Sequence, residues 1–176
     1  MTLRHVSTKK RLYFAALQIF RYLYKKDSAM SKVCAIYHIV ISTKNRRPTI
    51  SNEYRIYLYE FIYKILIEHK CFTYQIGGVQ NHIHFLIGLS PNIALAALMR
   101  EIKSRSSGWL AKKGEFPDFR GWSKGYYAST ISYEERVNVI NYIKSQQKHH
   151  NVVDFDNELN EMCRRCDMEI ILDDLR

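Results

Sequence analysis

The stretch that decides the fold is Gly77-Gly78-Val79-Gln80-Asn81-His82-Ile83-His84-Phe85-Leu86-Ile87. The two glycines break an apolar segment and precede a new strand pattern, which predicts an antiparallel hairpin. Because side chains alternate along a strand, His82 and His84 share one face and Ile83 points to the other. Two imidazoles on a rigid strand suit a divalent metal, although polar residues on an exposed sheet face would show the same spacing. Two histidines alone are an incomplete metal site.

The segments around this hairpin alternate between strand and helix patterns. Strand patterns cover residues 33–43, 71–76, 82–89 and 126–132; helical spacing covers residues 54–70, a segment from Pro91 and a segment from Glu134 to about His150. The order β-α-β-β-α-β followed by a helix is that of an α+β, ferredoxin-like (RRM-like) antiparallel sheet with an additional C-terminal helix. We find no internal repeat and no second domain.

The chain divides into three regions by composition. Residues 1–29 are basic and rich in aromatics, which indicates an extension outside the folded domain or a helix that contacts DNA or a membrane surface. The folded domain is predicted to span residues 30–153. Residues 154–176 form an acidic tail, expected to contain one more helix and an irregular end.

The charge balance indicates a polyanionic partner. The 176 residues contain 27 Lys and Arg against 17 Asp and Glu, which gives a net charge of +10. Residues 154–176 carry −5, so residues 1–153 carry +15. Nucleic acid is the commonest partner of so basic a body, although a merely basic protein stays an alternative.

Cysteine usage and hydropathy bear on the compartment. Cys163 and Cys166 have the spacing of a redox or zinc motif, but no second pair accompanies them, and we interpret the spacing as incidental. The cysteine pattern and the lack of a signal peptide predict a cytoplasmic protein. No apolar run approaches the roughly 20 residues that cross a bilayer, so no membrane partner is expected.

A tyrosine and a glutamine share one face of the last long helix. Tyr142 and Gln146 are four residues apart, hence one turn apart. A tyrosine hydroxyl can act as a nucleophile, and a glutamine carbonyl oxygen is a hard ligand for Mg²⁺ or Mn²⁺. Gln146 would complete a metal site with His82 and His84. Such neutral ligands leave the metal its full charge to bind a phosphate oxygen.

These motifs resemble the single-tyrosine HUH transposases, the insertion-sequence-200-like and REP-associated group, in which U is a hydrophobic residue between two histidines. The resemblance covers about residues 36–150. Its motifs are the opening strand Tyr37–Arg46, the glycine pair before the histidines, Lys103-Ser104 and Ser106-Ser107 with Trp109, Gly125-Tyr126, and Tyr142-Ile143 with Gln146, His149 and His150.

The resemblance implies an activity and a role for each site residue. His82, His84 and Gln146 would hold Mg²⁺ or Mn²⁺. Tyr142 would attack DNA to form a 5′-phosphotyrosine and free a 3′-hydroxyl for rejoining. The substrate would be single-stranded DNA with hairpins, the enzyme would be a homodimer, and no nucleotide cofactor is expected.

The sequence departs from the family pattern at two positions near the site. Asn81 stands where an acid is common before the first histidine, and a change there would alter metal affinity if that residue orients a ligand. Tyr127 stands where a glycine is common and offers a second tyrosine.

Basic side chains near these motifs are candidates for contacts with DNA phosphates. They are Lys44, Arg46, Arg47, Arg100, Lys103 and Arg105. Two alternative functions stay open: a hairpin-binding protein that no longer cleaves, and a metal phosphodiesterase that uses water as its nucleophile.

Overall fold

A computed structural model describes residues 32–149 and 154–169 of the chain. The predicted extension at residues 1–29, His150 and residues 170–176 lie outside the described residues. The strands are β1 (Ile36–Ser42), β2 (Phe72–Gly78), β3 (His82–Gly88) and β4 (Tyr127–Thr130). The α-helices are α1 (Arg55–Glu68), α2 (Leu95–Ala111), α3 (Arg136–His149) and α4 (Phe155–Arg164).

The four strands form one antiparallel sheet in the order β2-β3-β1-β4. This order and the intervening α1 and α2 confirm the ferredoxin-like α+β prediction. The β1–β3 register sets Val40 opposite His84 and Ser42 opposite His82. The histidine strand therefore lies in the centre of the sheet, where both neighbouring strands fix its backbone.

Helices cover both faces of the sheet. Ile36 packs with Ile143 of α3, and Val40, on the same face of β1, packs with Phe155 and Leu159 of α4. The alternate β1 residues, such as Ile39, are fully buried on the opposite face. Since α3 and α4 occupy the first face, this burial is due to α1 and α2, which pack against each other. Within the described ranges, no helix combines the length and the apolar character that crossing a membrane requires.

Two local predictions from the glycine and proline signals were wrong. Gly77 and Gly78 are the last residues of β2 and not the chain reversal, which lies at residues 79–81. The α2 helix begins at Leu95 and not at Pro91, which lies in a turn where the Ser90 hydroxyl accepts a hydrogen bond from the Asn92 amide. Glycine is tolerated in a strand where another element approaches closely, and this is the case at Gly77.

The predicted domain boundary at residue 153 stays a prediction. The acidic region does contain a helix, α4, as expected from the sequence. Asp154 caps it, because its carboxylate accepts the backbone N–H of Asn157 at 2.9 Å. Apolar residues of α4 pack on the sheet, so this part of the acidic region lies against the face that carries the two histidines.

Candidate metal centre and nucleophile

His82 and His84 lie side by side on β3, as the alternation predicted. Both are fully buried, and their ring centroids are 4.8 Å apart. The strand pairing on both sides leaves the two imidazoles little freedom to move apart. The alternative that they lie on an exposed sheet face is therefore wrong.

Hydrogen bonds orient both imidazoles. The Nδ1 of His82 donates to the Asn81 side-chain oxygen at 2.8 Å. The Nδ1 of His84 lies 2.9 Å from Nε2 of His38 on β1. Burial lowers the pKa of His38 to about 4, although the charge of Glu158 opposes this shift. A neutral His38 can accept the Nδ1 proton of His84, so that the Nε2 lone pairs of both His82 and His84 face inward.

Gln146 and an unpredicted residue, Glu158, meet the inward side of the histidine pair. The Gln146 carbonyl oxygen is 3.4 Å from His82 Nε2, and its amide nitrogen donates to Glu158 at 2.8 Å. Glu158 extends from α4, and its carboxylate oxygens lie 3.5 Å from Nε2 of His82 and of His84. The structure thus brings together the three predicted ligands and adds a buried carboxylate.

The chemistry of this donor set fits a divalent cation. With Nδ1 of His82 protonated, its Nε2 is an acceptor that faces two further acceptors, the oxygens of Gln146 and Glu158. One ligand atom from each of His82, His84 and Glu158 lies within 4.8 Å of the others. Imidazole, amide and carboxylate groups that converge in this way can hold a metal ion.

Tyr142 lies one turn before Gln146 on α3 and meets the same cluster. Its hydroxyl donates a hydrogen bond to Glu158, and its ring lies edge-on to the rings of His38 and His84. Burial raises the pKa of Tyr142 well above the usual tyrosine value, and the hydrogen bond and negative charge of Glu158 raise it further. The hydroxyl therefore keeps its proton in this arrangement.

The glycine at the end of β2 sets the distance between α3 and the sheet. A Cβ atom at Gly77 would lie 2.8 Å from both the carbonyl oxygen and Cγ2 of Ile143, the residue that follows Tyr142. Gly77 is paired with His84 across the β2–β3 ladder. The missing side chain thus lets the tyrosine helix approach the histidine strand.

Helix α4 covers the cluster. The Phe155 ring stacks on His82 with centroids 4.2 Å apart, while Leu159 packs with Val40 and Tyr127. An ion pair between Arg46 and Asp156 holds the start of α4. His82, His84, Gln146 and Glu158 are each at most 4% exposed, so the site is closed to a large ligand in this arrangement.

The six predicted DNA contacts lie in three different places. Lys44 and Arg47 are exposed in the turn after β1, whereas Arg46 pairs with Asp156. Arg105 is held by Glu68 at 2.5 Å and Glu101 at 3.4 Å. Arg100 and Lys103 line a cavity beside α2. Among these six, the structure brings only Arg46 next to the helix that covers the histidines.

Two members of the cluster were missed from the sequence. Glu158 was counted as one of the acids of the tail, yet it lies on the apolar face formed by Phe155, Leu159 and Met162. An acid within an apolar helical face is a signal that could have found it. His38 is 46 residues from His84, and only the β1–β3 register brings the two together.

An α+β sheet with a central, buried histidine pair, faced by a helix that carries a partly buried tyrosine and a buried glutamine, defines a class of proteins with a candidate metal centre beside a tyrosine hydroxyl. Comparison with known proteins identifies the family: residues 31–146 match the family described as transposase IS200 like, and the chain belongs to that family. As a transposase family, it consists of proteins that act on DNA.

Individual relatives agree with this assignment. The chain is 26% identical over 127 residues to the transposases for insertion sequence element IS200 of Salmonella typhimurium and of Salmonella typhi, covering 69% of this chain and 83% of each relative. A solved structure of a REP-associated tyrosine transposase bound to a REP hairpin is similar in fold, with a TM-score of 0.55 and 16% identity. That match covers 72% of this chain and 76% of the other.

Proposed function

We propose that this transposase cleaves and rejoins single-stranded DNA, with Tyr142 as the nucleophile and a divalent metal at the histidine pair. The observation that carries the proposal is the convergence of the partly buried Tyr142 with the buried Gln146, His82 and His84 in one cluster built from β3 and α3. A phosphodiesterase that uses water would need no tyrosine at this position. The alternative with water as nucleophile is therefore less well supported.

His82, His84 and Gln146 would hold Mg²⁺ or Mn²⁺, and Glu158 would add a carboxylate when α4 is in place. The cation, when bound, supplies positive charge for a non-bridging phosphate oxygen and for the leaving oxygen. Asn81 and His38 keep the two imidazoles in the orientation that this binding needs. The change from an acid to Asn81 preserves an oxygen acceptor at this place.

Tyr142 would form a bond between its phenolic oxygen and the scissile phosphorus. The bond from phosphorus to the 3′ oxygen breaks, and the proton that the phenol loses is balanced by one that the leaving 3′ oxygen takes up, which leaves a 5′-phosphotyrosine on the protein and a free 3′-hydroxyl on the DNA. Attack by a 3′-hydroxyl on the phosphotyrosine reverses these changes and rejoins a strand. The phosphotyrosine retains the bond energy, so no nucleotide hydrolysis is required.

A scissile phosphate could take the place of Glu158 beside the Tyr142 hydroxyl only after α4 moves. A nucleophile must come within about 3–3.5 Å of the atom it attacks, but the carboxylate of Glu158 already contacts the Tyr142 hydroxyl. We infer that the arrangement with Glu158 in the cluster is a resting state. The scissile phosphate would then replace this carboxylate beside Tyr142 when α4 lifts away.

The proposed substrate is DNA that carries hairpins, acted on by a homodimer. The net charge of +15 over residues 1–153, and the exposed Lys44 and Arg47, suit a polyanion. The REP hairpin bound by the structural relative supports a hairpin substrate here. Tyr142 contacts Glu158 and His84 of its own chain, which suits an active site assembled within one subunit.

The test is formation of a covalent adduct. The full-length protein is incubated with Mg²⁺ or Mn²⁺ and single-stranded hairpin oligonucleotides taken from both sides of its gene. A denaturation-resistant adduct is expected with the wild type and with Tyr127→Phe, which removes the other tyrosine hydroxyl near the cluster. The adduct should be absent with Tyr142→Phe. An adduct that persists in Tyr142→Phe would overturn the assignment of the nucleophile.

One observation favours the second candidate, a hairpin-binding protein without cleavage. The closed position of α4, with Glu158 against Tyr142, is the state that such a protein would keep. This candidate predicts tight hairpin binding and no adduct, even after α4 is loosened by mutation. An adduct that appears when α4 is loosened would exclude it.

A further inference from the structure

A second site lies beside the sheet, between α2 and the segment at residues 121–126. It is a cavity of about 490 Å³, within the range of roughly 300–1,000 Å³ typical of ligand pockets. One face of α2 forms one wall, because the lining residues of α2 recur at intervals of three and four. Residues 121, 122, 124 and 126 form the other wall.

The lining combines positive charge with aromatic surface. Arg100, Lys103 and Lys124 contribute three cationic side chains, and no residue that lines the cavity within the described ranges is acidic. Trp122 and Tyr126 contribute aromatic rings. Cations beside aromatic rings are the combination by which proteins bind unpaired nucleotides, since phosphates meet the cations and bases stack on the rings.

The cavity is held open by hydrogen bonds of its walls. The Trp122 indole N–H donates to the Ser106 hydroxyl at 2.9 Å, which fixes the ring against α2. The Lys103 ammonium donates to the backbone oxygens of Lys124 at 2.6 Å and of Gly125 at 3.1 Å. Lys103 therefore positions the segment. Arg100 and Lys124, both exposed, are the cations available to a ligand.

Tyr126 lines both this cavity and a small cleft next to α4. The other residues of this cleft include Ser42, Tyr127 and Phe155. Ser42 is paired with His82 across the β1–β3 ladder. A strand that enters the cleft when α4 lifts would therefore continue into the cavity past Tyr126.

We propose that this cavity binds one unpaired nucleotide of the single-stranded DNA substrate. Its base stacks on Tyr126 against a wall that includes the buried Trp122, and its phosphate contacts Arg100 and Lys124. This inference rests on the proposed function, because it takes single-stranded DNA as the substrate. It adds a second site, separate from the candidate metal ligands. This second site would hold the strand without taking part in cleavage.

The experiment measures DNA binding without cleavage. Full-length Tyr142→Phe is titrated with a fluorescent hairpin oligonucleotide that has single-stranded arms from the DNA beside the gene. Tyr126→Ala in this background is expected to weaken binding about 5- to 150-fold, the range for loss of one stacked base. Tyr126→Phe keeps the ring and should keep the affinity. Tyr133→Ala, an exposed aromatic position outside the cavity, is the matched control.

Charge and position of the bound nucleotide are tested separately. Arg100→Gln and Lys124→Gln should each reduce the slope of log affinity against log salt by about 0.7. Lys112→Gln, at the exposed C-cap of α2 and outside the cavity, serves as the control for loss of a charge. Abasic substitutions are moved along the arms one position at a time. At one position, the abasic substitution should weaken binding to the Tyr142→Phe protein. The same substitution should cause no further loss of affinity in the protein that carries both Tyr142→Phe and Tyr126→Ala.

The outcomes separate this proposal from the proposed function. Unchanged affinity in Tyr126→Ala, in a protein whose thermal unfolding is also unchanged, would overturn the cavity assignment even if the wild type forms the adduct. Equal abasic losses with and without Tyr126→Ala would overturn it as well. If the wild type forms no adduct but the cavity variants lose affinity as described, the nucleotide site stands and only the cleavage proposal fails.

Discussion

Loosening α4 should accelerate adduct formation, if Glu158 must leave before DNA can reach Tyr142. Two substitutions weaken the docking of this helix without touching the proposed ligands. Leu159→Ala removes a side chain that is 2% exposed and packs with Val40 and Tyr127. Asp154→Ala removes the N-terminal cap of α4.

The expected magnitudes follow from burial and capping. A buried Leu→Ala change costs about 2–5 kcal/mol, and about 3 kcal/mol would shift the balance between docked and lifted α4 roughly 150-fold. Loss of an Asp cap costs about 1 kcal/mol, equivalent to roughly fivefold. If the lifted state alone reacts and is rare in the wild type, the adduct rate should rise by up to these factors. Leu159→Ala should therefore exceed Asp154→Ala.

The assay is the initial rate of adduct formation at a fixed Mn²⁺ concentration and at a hairpin oligonucleotide concentration well below saturation, where the balance between docked and lifted α4 still limits the rate. Asn160→Ala, at an exposed position of α4, should leave the rate unchanged. Thermal unfolding of each variant distinguishes a lifted helix from a destabilised domain, since the latter lowers the rate. A rate that falls in both variants, and further in Leu159→Ala than in Asp154→Ala, would refute the reasoning. It would make α4, with Glu158, part of the reactive site.

Three further predictions concern the metal, the pH dependence and the packing of α3. Asn81→Ala should lower the affinity for Mn²⁺ about 10- to 100-fold in calorimetric titrations, because it removes the oxygen that orients His82. Between about pH 7 and pH 5, the metal-free protein should lose about 2 kcal/mol of unfolding free energy from His38 alone. The pKa of His38 is about 4 in the folded protein and 6.5 when the ring is exposed. Acid therefore protonates His38 in the unfolded chain first, which favours unfolding. Gly77→Ala should cost about 1–3 kcal/mol in urea unfolding, because its Cβ would press on α3, whereas Gly108→Ala, which meets nothing within 4 Å, should stabilise α2 by about 0.5–1 kcal/mol.

Each of these has a result that contradicts it. Asn92→Ala, at an exposed position away from the cluster, controls for the loss of an amide, and equal Mn²⁺ affinities in both variants would remove the orienting role of Asn81. For the pH series, His38→Gln should flatten the profile, and an unchanged slope would assign the effect to other groups. Equal stabilities of the two glycine variants would show that α3 can shift at no cost.

Local patterns in the sequence were sufficient to predict the order of the helices and strands and about half of the candidate site. The alternation along residues 82–89 gave the face of the histidine pair, and the four-residue spacing gave the shared face of Tyr142 and Gln146. Both depend only on the geometry of one element. The helical and strand spacings were also sufficient for the order of elements, and their ends moved by only a few residues where Pro91 and the glycine pair were misinterpreted.

The rest depends on packing between distant segments, which spacing within one element does not encode. His38 reaches His84 through the strand register, and Gly77 serves a helix that begins nearly 60 residues later. Glu158 is the sharpest case. As one of the eight acids of residues 154–176, Glu158 would be interpreted as a solvated charge. Because it lies on the apolar face of α4, however, it is buried together with the apolar residues beside it. A buried carboxylate is stable only with partners that offset its lost hydration, and the hydroxyl of Tyr142 and the amide of Gln146, which both donate to Glu158, are those partners. The Tyr142 hydroxyl that would meet a scissile phosphate therefore also holds the helix that excludes this phosphate, so the contacts that close α4 should compete directly with substrate.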